Sequence, residues 1–308
     1  KGGSCMWRLV LTSLAVIFLS ACSVTIDPQI EEAQQSDNSS NENNDLSISE
    51  EEAENEETIN TSFFDIINDV FQLEWSDRKE EDAQSVYYLA LGDSLTRGVG
   101  DETQDYGYTI RLQQELEKWP MVEEVELDNR GKNGRRSDQL LSLLERGHYE
   151  EELQKANLIT ITLGGNDVMK IVKKNLFSMK KSMFDKELPR FAERYEQVIA
   201  EIRKVNPDAP IILVGFYNPF SIVVDEITPF DPIISEWNDE IEKLAATDEN
   251  ACFVSVEDLF VSNEDMVYHV DFFHPNSTGY DRMTKRIIET MQQCDIEQMS
   301  DGLLGFEE

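Results

Sequence analysis

The chain has 308 residues, of which 40% are hydrophobic, so it is long enough to enclose one substantial core. Its 27 basic and 62 acidic residues give a formal net charge of −35. This acidic excess argues against nucleic acid as a partner, because neutralising phosphates requires a basic face. It also argues against attachment to anionic lipid by charge alone.

Residues 1–22 have the pattern of a secretory signal peptide. A basic start at Arg8 precedes an apolar run over 9–19, which is too short to span a bilayer comfortably. The motif Leu-Ser-Ala-Cys follows and ends at Cys22. It resembles a bacterial lipoprotein signal, which implies that Cys22 is lipidated and holds the protein on the extracytoplasmic face of the cell membrane. An ordinary signal peptide or a membrane anchor is the alternative.

Two segments, 23–61 and 62–85, precede the region in which strand and helix patterns alternate. Residues 23–61 contain almost nothing apolar and no basic residue, so they cannot bury enough surface to fold, and we expect a disordered acidic tether. Residues 62–85 form a lead-in segment, in which apolar residues over 63–75 recur at helical spacing. This predicts a short helix on the domain surface. A membrane-interface helix is the alternative, which the absence of basic residues on its polar face disfavours.

Residues 86–294 alternate strand patterns with helix patterns, and residues 295–308 follow as a C-terminal tail. This alternation predicts an α/β domain with a parallel sheet, right-handed crossovers and helices on both faces. A long irregular stretch over 216–231 predicts a loop near the site. The predicted strands are 86–91, 122–127, 158–163, 211–215 and 252–256. The predicted helices are 106–118, 137–146, 167–176, 184–205, 232–246 and 277–293.

The first candidate site residue, Ser94, follows the first predicted strand in the block Gly-Asp-Ser-Leu over 92–95. Ligands of α/β folds bind at the carboxyl ends of strands. Ser94 is therefore either a turn or cap residue or a nucleophile, and by itself the turn interpretation is the commoner. A histidine far along the chain, His274, favours the nucleophile.

The block over 129–131 follows the second predicted strand and ends at Gly131. With Gly134 it could form a loop whose backbone N–H groups face an anion or a developing oxyanion. A plain turn before a helix capped by Ser137 is the alternative. Three basic residues of this region either bind an anionic substrate group or pair with local acids: Lys132, Arg135 and Arg136.

The block Gly-Gly-Asn-Asp over 164–167 closes the third predicted strand. An asparagine amide can donate to an oxyanion, a role worth ~3 kcal/mol in another hydrolase, and this makes Asn166 a candidate. A helix cap at Asn166 or Asp167 is the alternative.

The last block, over 271–275, precedes the final predicted helix. Asp271 lies three residues before His274, so its carboxylate can reach one imidazole nitrogen while the other is free to take a proton from Ser94. The chain has only three histidines, and we interpret His148 and His269 as structural.

Two cysteines belong to the folded region. Cys252 opens the last predicted strand and Cys294 follows the last predicted helix. In an α/β unit the end of a helix packs near the start of the preceding strand, so a disulfide between them is geometrically feasible, and an extracytoplasmic location permits it. Buried free thiols are the alternative.

In order along the chain, these four blocks resemble those of the GDSL/SGNH hydrolases, most closely the lysophospholipase L1-like branch. The similarity covers about 86–293. It implies a three-layer α/β/α fold with a five-stranded, parallel, flavodoxin-like sheet in the order 2-1-3-4-5.

The resemblance also implies the roles of the site residues. Ser94 would be the nucleophile, His274 its base and Asp271 the residue that orients the base. The oxyanion hole would comprise the N–H groups of Ser94 and Gly131 and the amide of Asn166. One departure, the charged residue after Gly131 where small or apolar residues are usual, leaves the substrate open.

We therefore expect a serine esterase of acyl or acetyl esters that needs no metal or organic cofactor. Its substrate would be a small ester or an acylated lipid or glycan, and the protein would be a monomer. The alternative is a non-catalytic ligand-binding lipoprotein on the same fold, which the intact set of site residues disfavours.

Overall fold

The computed structural model of the protein describes residues 83–103, 106–221, 228–261 and 267–306. The expected signal peptide, the lipidation site Cys22, the tether and the lead-in as far as residue 82 lie outside the described residues. Within the described ranges, no helix has both the length and the apolar character needed to cross a membrane.

Five parallel strands of the described chain form one sheet in the order β2-β1-β3-β4-β5, which confirms the expected topology. The central strands are fully buried, because their apolar residues face helices on both sides. The strands are β1 (Gln84–Gly92), β2 (Val122–Gly131), β3 (Leu158–Thr162), β4 (Ile211–Val214) and β5 (Ala251–Val254).

Helices cover both faces of this sheet, as the alternating pattern predicts. One hydrophobic core lies between the sheet and α3, α5, α6 and α7, and a second lies between the sheet and α2, α8 and α9. The helices are α1 (Ser94–Arg97), α2 (Tyr108–Leu116), α3 (Ser137–Leu144), α4 (Glu150–Lys155), α5 (Gly165–Lys174), α6 (Lys181–Val205), α7 (Asp231–Ala245), α8 (Ser277–Gln293) and α9 (Ile296–Met299), with a 3₁₀ turn at Glu257–Phe260.

Strand β2 is four residues longer than the pattern predicts. It continues to Gly131 because β1 continues to Gly92, and the two strands stay in register, with Ala90 opposite Asn129 and Gly92 opposite Gly131. The block over 129–131, expected in a loop after the strand, therefore forms the last three residues of β2. The one-turn helices α1 and α9 and the short α4 were not expected, since periodicity needs a longer window to be visible.

The described part of the C-terminal tail, as far as residue 306, packs on the domain. Ile296 and Leu304 are completely buried and belong to the core on the α8 side of the sheet. The packed domain therefore continues past residue 294, where the strand and helix pattern predicts its end.

Cys252 in β5 and Cys294 at the end of α8 are joined in the structure, with Cα atoms 6.2 Å apart. A crosslink of two positions 42 residues apart restricts the unfolded chain, so the Cys252→Ser/Cys294→Ser variant should lose about 2–4 kcal/mol of unfolding free energy. Urea denaturation measures this loss.

Alkylation with and without reduction, followed by intact mass analysis, should show two additional labels in the wild type and none in the double variant. Equal labelling before and after reduction would contradict the pairing.

Candidate active site

Ser94 stands at the first position of α1, two residues after the end of β1. Gly92 ends β1 with φ 154°, and a side chain there would collide with the hydroxyls of Thr96 and Thr162. Asp93 then caps the helix by accepting a hydrogen bond from the Leu95 N–H at 3.0 Å. This tight turn places the Ser94 side chain at the carboxyl edge of the sheet, 7% exposed.

His274 and Asp271 come from a closed turn between the residues after β5 and α8. The turn is held by the His269 N–H, which donates to the His274 carbonyl at 2.9 Å, and by a bridge between Tyr268 and Pro275. Phe272 at its tip adopts φ 52°, a left-handed conformation that is costly for a large side chain. Local strain is thus retained where the carboxylate and the imidazole must face each other.

The structure brings Ser94, His274 and Asp271 into one hydrogen-bonded relay. His274 Nε2 lies 3.0 Å from Ser94 Oγ, and His274 Nδ1 lies 2.6 Å from Asp271 Oδ2. The other carboxylate oxygen, Asp271 Oδ1, accepts the backbone N–H groups of Phe273 and His274 at 3.0 Å each. The 3.0 Å between Ser94 Oγ and His274 Nε2 suits transfer of the Ser94 proton to the imidazole, while Asp271 orients the ring.

The Asp271 carboxylate is held in its charged form. Partial burial raises its pKa, but the hydrogen bond to the His274 side chain and the two backbone N–H groups outweigh burial and bring the pKa to about 2. Above that pH the carboxylate acts only as an acceptor, so His274 carries its proton on Nδ1 and presents Nε2 to Ser94 as a base.

The three expected oxyanion donors differ in the hydrogen bonds that they make in the structure. The Ser94 N–H, at the start of α1, meets no acceptor among the described residues. The Asn166 amide lies on the second residue of α5 and donates to Asp93 Oδ2 at 3.1 Å, which leaves its second hydrogen free. The Gly131 N–H donates to Asn129 Oδ1 at 2.9 Å, so a ligand oxygen must share it with that side chain or displace it.

Two polar residues of the site were missed by the sequence reasoning. Asp93 is 4% exposed and links Ser94's turn to Asn166, and Asn129 donates to the Thr96 carbonyl at 2.6 Å and so ties β2 to α1. The available signal was an acidic residue at the helix cap beside the candidate nucleophile. From the sequence alone, Asp93 is indistinguishable from an ordinary helix N-cap, because its burial depends on distant segments of the fold.

A small apolar pocket opens beside Ser94 and Asn166, with a volume of about 40 Å³. Helix α5 and residues 216–220 after β4 supply most of its wall, so the described start of the region expected near the site does line it. Its apolar lining includes Val168, Met169, Phe216, Phe220, Ile234 and Phe273. The pocket can accept a short apolar group bonded to a carbon that Ser94 attacks.

The basic residues of 132–136 take mostly structural roles. Arg135 is 5% exposed and donates to the Arg130 carbonyl and the Tyr149 hydroxyl, and Arg136 pairs with Asp138. Only Lys132 of the three remains exposed. Pairing with local groups therefore accounts for two of these three cations.

Comparison with known proteins identifies relatives along most of the folded region. Residues 90–282 match the model of the GDSL-like lipase/acylhydrolase family. The chain is 33% identical over 212 residues to the protein YpmR of Bacillus subtilis strain 168, covering 68% of this chain and 83% of that one. It is 29% identical over 210 residues to the spore germination lipase LipC of Bacillus licheniformis, covering 66% and 95%.

A solved structure supports the same similarity. The lipase Lip_vut3 from a goat rumen metagenome superposes with a TM-score of 0.58 at 25% identity, over 67% of this chain and 97% of that one.

Proposed function

The chain belongs to the GDSL-like lipase/acylhydrolase family, and from this we propose that it is a serine esterase that works through an acyl-enzyme outside the cytoplasm. The observation that carries the proposal is the relay from Asp271 through His274 to Ser94, with distances of 2.6 Å and 3.0 Å. It lies at the mouth of an apolar pocket, as the acyl group of an ester requires.

In the first half-reaction, His274 Nε2 removes the proton from Ser94 as Ser94 Oγ attacks the ester carbonyl carbon. The imidazolium that forms is stabilised by Asp271, and it returns the proton to the leaving alcohol when the tetrahedral intermediate collapses. Water, deprotonated by the same nitrogen, then attacks the acyl-serine, and the proton returns to Ser94 as the acid departs.

The negative charge on the carbonyl oxygen needs donors that are in place before the reaction. The Ser94 N–H and the second hydrogen of the Asn166 amide supply two, and the Gly131 N–H supplies the third when the oxyanion shares it with the Asn129 side chain or displaces that side chain. A binding protein without chemistry would not require a base aligned on a hydroxyl, so the arrangement disfavours the non-catalytic alternative.

The small pocket predicts a preference for short acyl groups. Among p-nitrophenyl esters, the full chain should hydrolyse acetate and butyrate with higher kcat/KM than octanoate or palmitate, because the pocket that the described residues line has a volume of only about 40 Å³. Initial rates over the ester series measure this preference. A maximum at palmitate would contradict the assignment of this pocket to the acyl group.

A pair of methionine variants tests which side chains limit the acyl group. Met169 lines the pocket, whereas Met179 is equally buried in the same core but does not line it. Met169→Ala should therefore move the preferred ester to a longer acyl chain, and Met179→Ala should leave the preference unchanged while lowering Tm. The same shift in both variants would show that general loosening of the core, rather than the pocket wall, sets the preference.

The N-terminal pattern supports lipid anchoring through Cys22, and we propose that the protein acts there as a monomer on small esters or on acylated lipids or glycans. Cys22→Ala should move the protein from the membrane fraction to the soluble fraction, because it removes the acceptor of the lipid. Cys5→Ala is the matched control and should stay with membranes. Membrane retention of the Cys22 variant after a carbonate wash would count against lipidation at this position.

A further inference from the structure

A buried carboxylate beside the nucleophile has no role in the reaction as described above. Asp93 is 4% exposed, and its two oxygens face different partners. Oδ1 accepts the Leu95 N–H and the Thr162 hydroxyl, each at 3.0 Å, whereas Oδ2 accepts the Asn166 amide at 3.1 Å. The first pair fixes the carboxylate to α1 and β3, so that Oδ2 is aimed at the α5 residue that donates to the oxyanion.

An asparagine can serve an oxyanion only if its NH₂ group, and not its carbonyl, faces the reacting carbon. The two ends of the amide have nearly the same shape, so packing alone does not distinguish them. A carboxylate can only accept, and it therefore selects the orientation in which Asn166 Nδ2 points at Asp93. One of the two amide hydrogens is then held, and the other is directed outward to the site.

We propose that Asp93 is a positioning residue for the esterase reaction proposed above, on which this inference rests. Its carboxylate locks the Asn166 amide in the donor orientation, and a chain of buried hydroxyls holds the carboxylate in place.

The hydroxyl chain extends from Asp93 Oδ1 into the core beneath the sheet's carboxyl edge. Each member is a threonine or tyrosine. Because the ionised carboxylate only accepts, each hydroxyl can donate to the neighbour that lies nearer the carboxylate. Hydrogen bonds that point in one direction polarise and strengthen one another. Thr96 also lies 3.2 Å from the Leu91 carbonyl, so it has one alternative acceptor. In order from the carboxylate the chain is Thr162, 2.7 Å to Thr96, 3.0 Å to Tyr108, 3.2 Å to Thr160 and 2.9 Å to Tyr88.

This arrangement gives Asp93 a titration near neutral pH. Burial raises its pKa to about 6, against the opposing effects of the Leu95 N–H, Thr162, His274 and Asn166. Once protonated, the carboxyl group becomes a donor and no longer selects the amide orientation. The titratable side chains that face it from the surrounding elements are His274 before α8, Tyr108 of α2, Tyr195 of α6, Tyr217 after β4 and Tyr280 of α8.

The sign of the contribution of Asp93 to stability distinguishes a positioning role of this residue from a structural one. The folded-state pKa of about 6 lies above the ordinary 3.8, so the ionised form is disfavoured by the fold. Asp93 thus contributes stability below about pH 4, which is lost as the pH rises through about 6. At pH 8 the neutral Asp93→Asn variant should have a Tm no lower than the wild type.

The test measures kcat, KM and Tm of the full chain with p-nitrophenyl butyrate from pH 4 to pH 9. Asp93→Asn should lower kcat about 10- to 100-fold with little change in KM, because it places an NH₂ group against Asn166 and weakens one oxyanion donor. The acid limb of the wild-type log kcat/KM profile should include an inflection near pH 6 from Asp93, and the variant's profile should lack it. In an Asn166→Ala background, Asp93→Asn should have no further effect on kcat.

Thr162→Val supplies a second measurement if Asp93→Asn folds poorly. It removes a donor to the carboxylate and should move the acid limb to higher pH. Thr284→Val removes a buried hydroxyl that donates to the Tyr280 carbonyl instead, and its acid limb should coincide with that of the wild type. An equal shift in both variants would overturn the proposal, as would no shift in Thr162→Val.

Failure of this inference is distinguishable from failure of the proposed function. If the wild type hydrolyses the ester and Ser94→Ala does not, but Asp93→Asn keeps the wild-type kcat and the inflection near pH 6, only the role of Asp93 is rejected. A fully additive effect of Asp93→Asn in the Asn166→Ala background, or a lowered Tm at pH 8, rejects it as well. If the wild type is inactive or Ser94→Ala is active, the esterase assignment itself fails.

Discussion

Ser94→Ala should lower kcat for p-nitrophenyl butyrate by at least about 10⁴-fold, because no other hydroxyl can form the acyl-enzyme at this position. His274→Ala should cause a loss of similar size, since Ser94 then has no base at 3.0 Å. The two side chains act as a unit, so the double variant should be about as inactive as either single variant. Burst kinetics and steady-state rates measure these losses.

The controls for this prediction are residues of the same type away from the relay. His148 is exposed on the chain segment between α3 and α4, and His148→Ala should retain wild-type turnover. The wild type should also acquire a covalent adduct from a serine-directed organophosphonate, detected by intact mass, that Ser94→Ala lacks. Wild-type turnover by purified Ser94→Ala would mean that the nucleophile lies elsewhere.

Asp271→Asn should lower kcat by about 10³- to 10⁴-fold with the fold intact, as loss of the orienting carboxylate does in other serine hydrolases. The physical reason lies in the backbone. The N–H groups of Phe273 and His274 bind Oδ1 and would hold the carbonyl oxygen of the new amide, leaving its NH₂ group to face His274 Nδ1. His274 would then carry its proton on Nε2 and could not accept one from Ser94.

This prediction has a spectroscopic readout as well as a kinetic one. Nitrogen chemical shifts of the His274 ring should report the Nδ1–H tautomer in the wild type and the Nε2–H tautomer in Asp271→Asn. Asp258→Asn removes an exposed carboxylate that pairs with Arg286 far from the relay, and it should change neither the tautomer nor kcat. An Nδ1–H tautomer in an inactive Asp271→Asn variant would require a different role for the carboxylate.

The pH dependence of stability provides a contrast between the two carboxylates of the site. The pKa of Asp271 is depressed to about 2, so its contribution to stability is present above about pH 4 and is lost as the pH falls toward 2. Asp93 has the opposite sign, because its pKa is raised. The fold thus favours the ionised form of the residue that orients the base and disfavours that of the residue beside the nucleophile.

Much of the fold and of the candidate site could be predicted from local patterns. The run from Val86 to Leu91 is apolar on both faces, which indicates a central parallel strand, and each candidate block falls where such a run ends. The carboxyl ends of parallel strands share one edge of the sheet, so Ser94, Asn166 and His274 could be expected to converge there. The strand order followed from the family resemblance and not from periodicity.

The tertiary structure decided the features that depend on contacts between distant segments of the chain. The extension of β2 to Gly131 requires β1 beside it, and the partner of the Gly131 N–H is a side chain within that extension. Ile296 of α9 and Leu304 are buried only because α8 and the sheet offer a surface to cover.

Asp93 shows most clearly the difference between what the sequence determines and what the tertiary structure determines. The sequence by itself determined that a carboxylate precedes the nucleophile at a helix start, and local propensity accounts for it as a cap. Only the folded chain brings Thr162 from β3 and Asn166 from α5 against it and removes it from water. Desolvation and hydrogen-bond direction are properties of the assembled neighbourhood, so they cannot be derived from residue types along the chain.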